Sequence, residues 1–362
     1  MKKEQISSTV LMFSIGCFIQ SSTLLVGFVT ATTKQESWIP VLAGIVVSLP
    51  IIWIYLSISK KYPGKSIIEI NDAVFGKIVG KVFSAIYIFF FLSLAALNSS
   101  IISNFLLDSV LPETPKLAIL IFFISLCAYA VSKGIEPVAR CSTLFVFIIL
   151  AVVIVNGTLM IKDMKLDNFL PVFSLPFKKY VQGIQGEVFL PFCEIFVFFM
   201  LFPNLQKPSD IKKPLFGGFM IGAGTMIFIM LRDIAVLGPT ISLVSIPAYE
   251  SVRLINIANI LTRMEVFYAT TLIVLSFFKI TILYYSSIKA ISQLFGMQSY
   301  KPLIKIIGAL IIIFTLINFK SANQHAYWGA NPASFYSMFF ELILPLITLI
   351  TISVKGLFRN ES

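Results

Sequence analysis

Three glutamates and a lysine stand where a strongly apolar chain should carry no charge. Glu187 and Glu194 lie in the run GIQGEVFLPFCEIFVFFMLFP at 183–203, with Gly183, Gly186 and Pro191 in its first half, while Lys279 and Glu341 interrupt two later apolar stretches. A charge at bilayer depth costs about 3 kcal/mol on insertion scales, so each needs a partner, a cavity or a solute. A helix through Pro191 loses a backbone hydrogen bond and clashes with the carbonyl four residues back, which predicts a broken helix with loosened peptide groups near 189–193. Such backbone persists at membrane depth only where protein or water satisfies it. The stretch is therefore the first candidate for a bound solute; a proline kink with Glu194 paired to a neighbouring helix is the structural alternative. For Lys279 the candidate partners are Glu194 and Glu341. The pair would either lock two helices together or handle a proton or a substrate carboxylate.

The rest of the chain supplies the frame for these groups. Of 362 residues 57% are hydrophobic and 12% charged, with 35 phenylalanines, a composition that belongs to an integral membrane protein. Apolar segments of about 20 residues use up nearly all of it, which leaves one membrane domain, 1–362, and no room for a catalytic module. The first apolar stretch follows Met1-Lys2-Lys3-Glu4 and reads as a first span, not a cleaved signal. The sequence offers no nucleophile–base set, phosphate-binding glycine loop or metal cluster, so neither an enzyme nor a cofactor is expected. Cys17, Cys127, Cys141 and Cys193 fall in or at the ends of spans and the chain has one histidine, which argues against a disulfide framework or a zinc site. The net charge of +11 would suggest nucleic acid in a soluble protein; here it is a topology signal and a contact with anionic lipid.

Ten spans are expected, at 6–32, 38–59, 79–107, 115–131, 141–161, 183–203, 214–237, 265–291, 302–319 and 335–354. Lys60, Lys61, Lys65, Lys77 and Lys81 make the connection after the second span the most basic, and a short amphipathic helix is expected there at 66–75. The positive-inside bias then puts both termini in the cytoplasm. The connection 162–180 is expected to pack over the outer face. Gly217, Gly218, Gly222 and Gly224 form a small-residue surface for close helix approach. The run 238–264, with Arg253 and Arg263, reads as an interfacial amphipathic helix or helix pair. Arg232 and Asp233 would gate the outer mouth or anchor the interface, and His325 is expected in a solvated outer loop.

Dividing ten spans into two fives sets the first opposite the sixth. Both are interrupted, the first by Gly16-Cys17-Phe18-Ile19-Gln20-Ser21-Ser22-Thr23, and this pairing predicts two inverted repeats, roughly 6–161 and 183–354. Half-helix ends would then present free N–H and C=O groups to one cavity, where the carboxylate and ammonium of an amino acid could bind. Thr281, Tyr284, Tyr285, Ser286 and Ser287 add hydroxyls from the eighth span, although such groups commonly bond back to their own helix.

The order of these features resembles the GerAB-type spore germination permeases, the B subunits of nutrient germinant receptors. These are in turn similar to the amino acid–polyamine–organocation transporters. The resemblance covers essentially the whole chain and rests on the Pro-Phe-Cys-Glu-Ile run at 191–195, Leu201-Phe202-Pro203, and Lys279-Ile280-Thr281 followed by Tyr284-Tyr285. It implies an all-α polytopic membrane protein with a LeuT-like 5+5 inverted-repeat fold and interrupted helices 1 and 6. It also implies a ligand site at Gly16, Cys17, Gln20, Pro191, Phe192, Cys193 and Glu194, with Asn98, Thr281 and Tyr285 from the third and eighth spans. The implied partners are a small nutrient, an amino acid, together with an A subunit and a lipoprotein C subunit in the spore inner membrane. An autonomous proton-coupled amino acid permease is the alternative.

Overall fold

Ser7 opens the first helix by accepting from the Val10 amide at 3.3 Å, and the helix runs regularly over Ser8–Gln20. Three hydroxyl residues in a row then break it. Ser21 donates to the Cys17 carbonyl (2.8 Å) and Thr23 to that of Gln20 (2.7 Å). Side chains competing in this way for backbone carbonyls tighten the chain into a 3₁₀ turn, Ser21–Leu25, before it resumes as Val26–Thr33. The break therefore falls one turn beyond Gly16 and Cys17, which lie in regular helix. Gly16 has a packing role: a Cβ there would meet Ile221 at 3.0 Å.

The computed structural model describes residues 4–255, 264–319 and 321–360, excepting the side chains at 322 and 356–360. Lys2, Lys3 and Arg263 lie outside these residues. Among the described residues eight helices are long and apolar enough to cross a membrane: α1 (Ser8–Glu36), α2 (Trp38–Lys61), α3 (Ile67–Ser109), α5 (Ile135–Leu159), α6 (Phe177–Met200), α7 (Pro208–Leu243), α8 (Met264–Leu294) and α10 (Ala333–Lys355). The expected fourth span is a shorter apolar helix, α4 (Lys116–Ser132). The expected ninth is α9 (Leu303–Asn318), which bends by 96° into Asn323–Ala330 and makes a ninth span if that bent pair is counted as one. Helix length thus supports eight or nine spans where the sequence predicts ten. α3 contains the expected amphipathic helix, opened by a Ser66–Glu69 capping box and closed by Gly76 at φ +80°, a conformation glycine adopts freely.

Proline sets two further breaks. In α6 the helix Phe177–Glu187 widens to a π turn at Val188–Phe192, around Pro191, and then tightens to 3₁₀ over Cys193–Met200. In α10 a π turn at Phe339–Ile343 sits just before Pro345, whose missing N–H frees the carbonyl of Glu341. This third break was not expected.

The small-residue surface of α7 receives α1, as the glycine spacing predicts. A Cβ on Gly218 would lie 2.5 Å from the Met12 carbonyl and one on Gly222 2.4 Å from Ile19, whereas Gly224 faces open space. The connection at 162–180 packs back on the molecule: Asn168 donates to the Ala235 carbonyl at 2.7 Å, and Ser174 and Tyr180 both donate to Glu36.

Two expectations fail here. In the run after α7 the helix Pro247–Arg253 buries five of its seven residues, so this part of it is not an interfacial helix. Its Ser251 donates to Asp233 at 2.6 Å, and Asp233 accepts two bonds from Arg232, which also lies over the Tyr268 ring at 5.7 Å. Arg232 and Asp233 are both buried, which removes the interfacial-anchor reading.

Candidate functional site at the two helix breaks

α8 lays one face along the α1 break. At Leu275 its carbonyl accepts from Ser21 Oγ (2.8 Å), and one turn further Lys279 Nζ donates to Ser22 Oγ (2.7 Å). The same ammonium pairs with the Glu194 carboxylate in the 3₁₀ part of α6 and lies 4.9 Å from the centroid of the Phe18 ring. Both charges are buried, and each is the counterion that makes the other tolerable. Of the two candidate partners of Lys279, Glu194 is the one it meets. Glu341 and Glu187 are both buried, and neither carboxylate has a hydrogen-bond partner among the described residues.

Beside this pair lies a small cavity of about 20 Å³, room for about one water. Its walls include Leu25 from the α1 break, Asn98 from α3, Leu190 and Glu194 from α6, and Trp328 and His325 from the helix after α9. His325 is buried there, stacked on Phe319 with ring centroids 4.2 Å apart, which corrects the expectation of a solvated loop histidine.

The other expected residues are distributed around this centre. Gln20 donates to Thr225 of α7 at 2.9 Å. Cys17 is buried within regular helix, and its carbonyl takes the Ser21 hydroxyl. Pro191 and Glu187 border one small void with Leu25, Val26 and Met226, and Phe192 meets Phe219 edge-on at 5.5 Å. The Cys193 thiol lies against Ser48 and Tyr55 of α2. Thr281 bonds back to Phe277 (2.7 Å) and neighbours Cys127 of α4. Tyr285 stands at the end of the molecule where α1 begins, edge-on to Tyr300 at 5.6 Å and next to Glu4. Only Asn98 and Glu194 of the expected set border the cavity. Ser22, Phe18 and Trp328 belong to the centre and were not singled out; the signal for Ser22 was the hydroxyl run itself, while Trp328 is brought in by the bend after α9.

The fold that sets these broken helices around a buried ion pair is LeuT-like. Solved structures agree: a nucleobase-cation-symport-1 family transporter, Mhp1, in a closed conformation with bromovinylhydantoin bound, has a TM-score of 0.74 at 10% identity, covering 96% of this chain and 78% of that one. A Na⁺-coupled sialic acid symporter in a substrate-bound outward-open state has a TM-score of 0.67 at 11% identity, covering 94% and 80%. Within that architecture the chain belongs to the spore germination protein family, whose profile matches residues 1–325. Among similar proteins are spore germination protein KB of Bacillus subtilis (strain 168), 28% identical across 100% of this chain and 98% of the relative. Spore germination protein YndE of the same organism is 25% identical across 88% and 87%. The chain is thus an integral membrane protein of that family.

Proposed function

We propose that the chain is the B-type subunit of a nutrient germinant receptor. It binds a small nutrient, an amino acid, between the breaks of α1 and α6 and passes the event to an A subunit and a lipoprotein C subunit in the spore inner membrane, with both termini cytoplasmic. The observation that carries this reading is the cavity of about 20 Å³ beside the Lys279–Glu194 pair. An amino acid does not fit a space for one water, so binding must part the walls formed by α1, α3, α6 and the helix after α9. A ligand that binds only the opened form shifts the population toward it, and that displacement is a signal a partner can read. At the cavity wall Asn98 supplies a neutral donor and acceptor for the nutrient, while Glu194 stays paired with Lys279. Family membership supports the germination role, and the two five-helix halves, 6–161 and 183–354, are the moving units we assign to it.

The transporter architecture favours a second reading, an autonomous proton-coupled amino acid permease. One experiment separates them: the purified protein is screened by thermal shift against single amino acids, and the same protein in vesicles is tested for uptake under a proton gradient. The receptor reading expects saturable stabilisation by one or a few amino acids without accumulation. Gradient-driven accumulation by this chain alone gives the permease reading instead, and no stabilisation by any amino acid removes both.

A further inference from the structure

Three groups from the two broken helices converge on one buried point: the Ser22 hydroxyl in the 3₁₀ turn of α1, the face of Phe18 one turn earlier, and the Glu194 carboxylate in the 3₁₀ turn of α6. A carboxylate, a hydroxyl oxygen and a ring face together favour a small monovalent cation. Broken helices at mid-membrane are where transporters commonly hold such an ion. Here the position is taken by the chain itself, because Lys279 Nζ lies 2.7 Å from Ser22 Oγ and 4.9 Å from the Phe18 centroid while paired with Glu194. A simple lock between α8 and α6 would need only Glu194. The additional contacts to Ser22 and Phe18 complete a shell around the ammonium from the α1 side, and the Ser21–Leu275 bond at 2.8 Å fixes the register of α8 on that break.

The geometry points to a monovalent-cation site formed by Ser22, Glu194 and Phe18 whose occupant is built in, the ammonium of Lys279, so that the α1 and α6 breaks close without Na⁺ from solution. A free ion and the ammonium compete for the same carboxylate, and the tethered one holds the site at a high effective concentration. This goes beyond the germinant reading and does not depend on which nutrient binds.

The test uses the full-length protein in detergent, with thermal unfolding followed as Na⁺ replaces choline at constant ionic strength, and methylammonium used as a second probe. The wild type is expected to show no saturable response to either. Lys279→Ala, which leaves the shell without its cation, is expected to unfold at a lower temperature and to regain stability saturably with Na⁺ or methylammonium; adding Glu194→Gln should abolish that gain. If Lys279→Ala does not fold alone, it is expressed and purified in methylammonium, and recovery of folded protein supports the site. Saturable stabilisation of the wild type by Na⁺ overturns the proposal. So does a Lys279→Ala protein, folded or not, that neither cation improves, since the lysine is then a structural partner of Glu194 and nothing more.

Discussion

The hydroxyl of Tyr55 donates to the main-chain carbonyl of Glu341 at 2.5 Å and lies 3.3 Å from that of Cys193. One side chain of α2 thereby reaches irregular backbone in both α6 and α10. The Glu341 carbonyl is the one to which Pro345 offers no N–H, and at membrane depth such a group calls for another donor. The Tyr55 ring is separately held by Phe196 and Phe199, at 5.4 and 6.0 Å, which aims the hydroxyl.

Tyr55→Phe keeps those ring contacts and removes only the donor. A buried acceptor left unsatisfied costs about 1–3 kcal/mol, so the variant should fold and unfold more easily by that amount. Chemical unfolding in micelles measures it. Unchanged stability would mean that the π turn of α10 satisfies its own carbonyl.

Lys279→Met leaves Glu194 as an uncompensated buried charge, expected to cost about 3–5 kcal/mol and to lower folded yield. Glu194→Gln in the same chain should restore part of it, and Glu341→Gln less, because the ion pair of Lys279 is with Glu194 and Glu341 acts on the two only at longer range. Monodispersity on size exclusion after detergent extraction reads both. Rescue by Glu341→Gln instead would reassign the pair.

Much of this arrangement was legible in the sequence, and the limits of legibility are physical. Lys279 had to find a carboxylate because of what an unpaired charge costs, and Pro191 had to loosen α6 because of its ring and missing N–H; both are local facts. The α1 break falls at the hydroxyl end of the expected interruption and not at its glycine, because glycine has two uses, and Gly16 serves close approach to Ile221 while hydroxyls make the break. The burial of His325, Arg232 and Asp233 depends on which distant helices cover them, and no periodicity within their own segments carries that information. Pro345 stands in plain view in the last span, but its consequence for Glu341 becomes visible only when Tyr55 is seen to answer it.

The glycine surface of α7 yields a graded test. Gly218→Val and Gly222→Val would drive side chains into the Met12 carbonyl and Ile19, where Cβ positions already fall at 2.5 and 2.4 Å. Overpacking of this kind costs about 1–3 kcal/mol or more, and here the backbone at Met12 cannot rotate away. Gly224→Ala, facing open space, should be neutral. Thermal stability of the three variants should separate them cleanly; a Gly224→Ala loss equal to the other two would show that helix flexibility, not close approach, is what these glycines supply.

Glu4, ahead of α1, gives a pH signature. Burial pushes its carboxyl above the usual carboxylate range. A group that holds its proton more tightly folded than unfolded contributes stability while protonated, and that contribution is lost as pH rises from the ordinary carboxylate value through the raised one. Glu4→Gln should therefore flatten the stability curve over that window and leave it unchanged well below it. A wild-type curve already flat there would contradict the assignment.

The cysteines report on how the site opens. The two that the sequence placed at the breaks do not occupy equivalent positions: Cys17 is packed in regular helix, and Cys193 sits in the first turn of the 3₁₀ segment with its thiol toward Ser48 and Tyr55. Cys17, Cys127 and Cys193 are buried and Cys141 is exposed. A small membrane-permeant thiol reagent should therefore label Cys141 alone in the closed state. Opening the cavity must move α6 relative to its neighbours, and the contact most directly strained is the one from Cys193 to α2. In a Cys141→Ser background, a nutrient that stabilises the protein should raise labelling at Cys193 and leave Cys17 and Cys127 unreactive, with peptide mass spectrometry assigning the modified residue. Thiolate is the reactive form, so the comparison is made at one mildly alkaline pH. Ligand-dependent labelling at Cys17 instead would mean that α1 unwinds past Ser21 on binding, and no change at either would separate nutrient binding from movement of the α6 break.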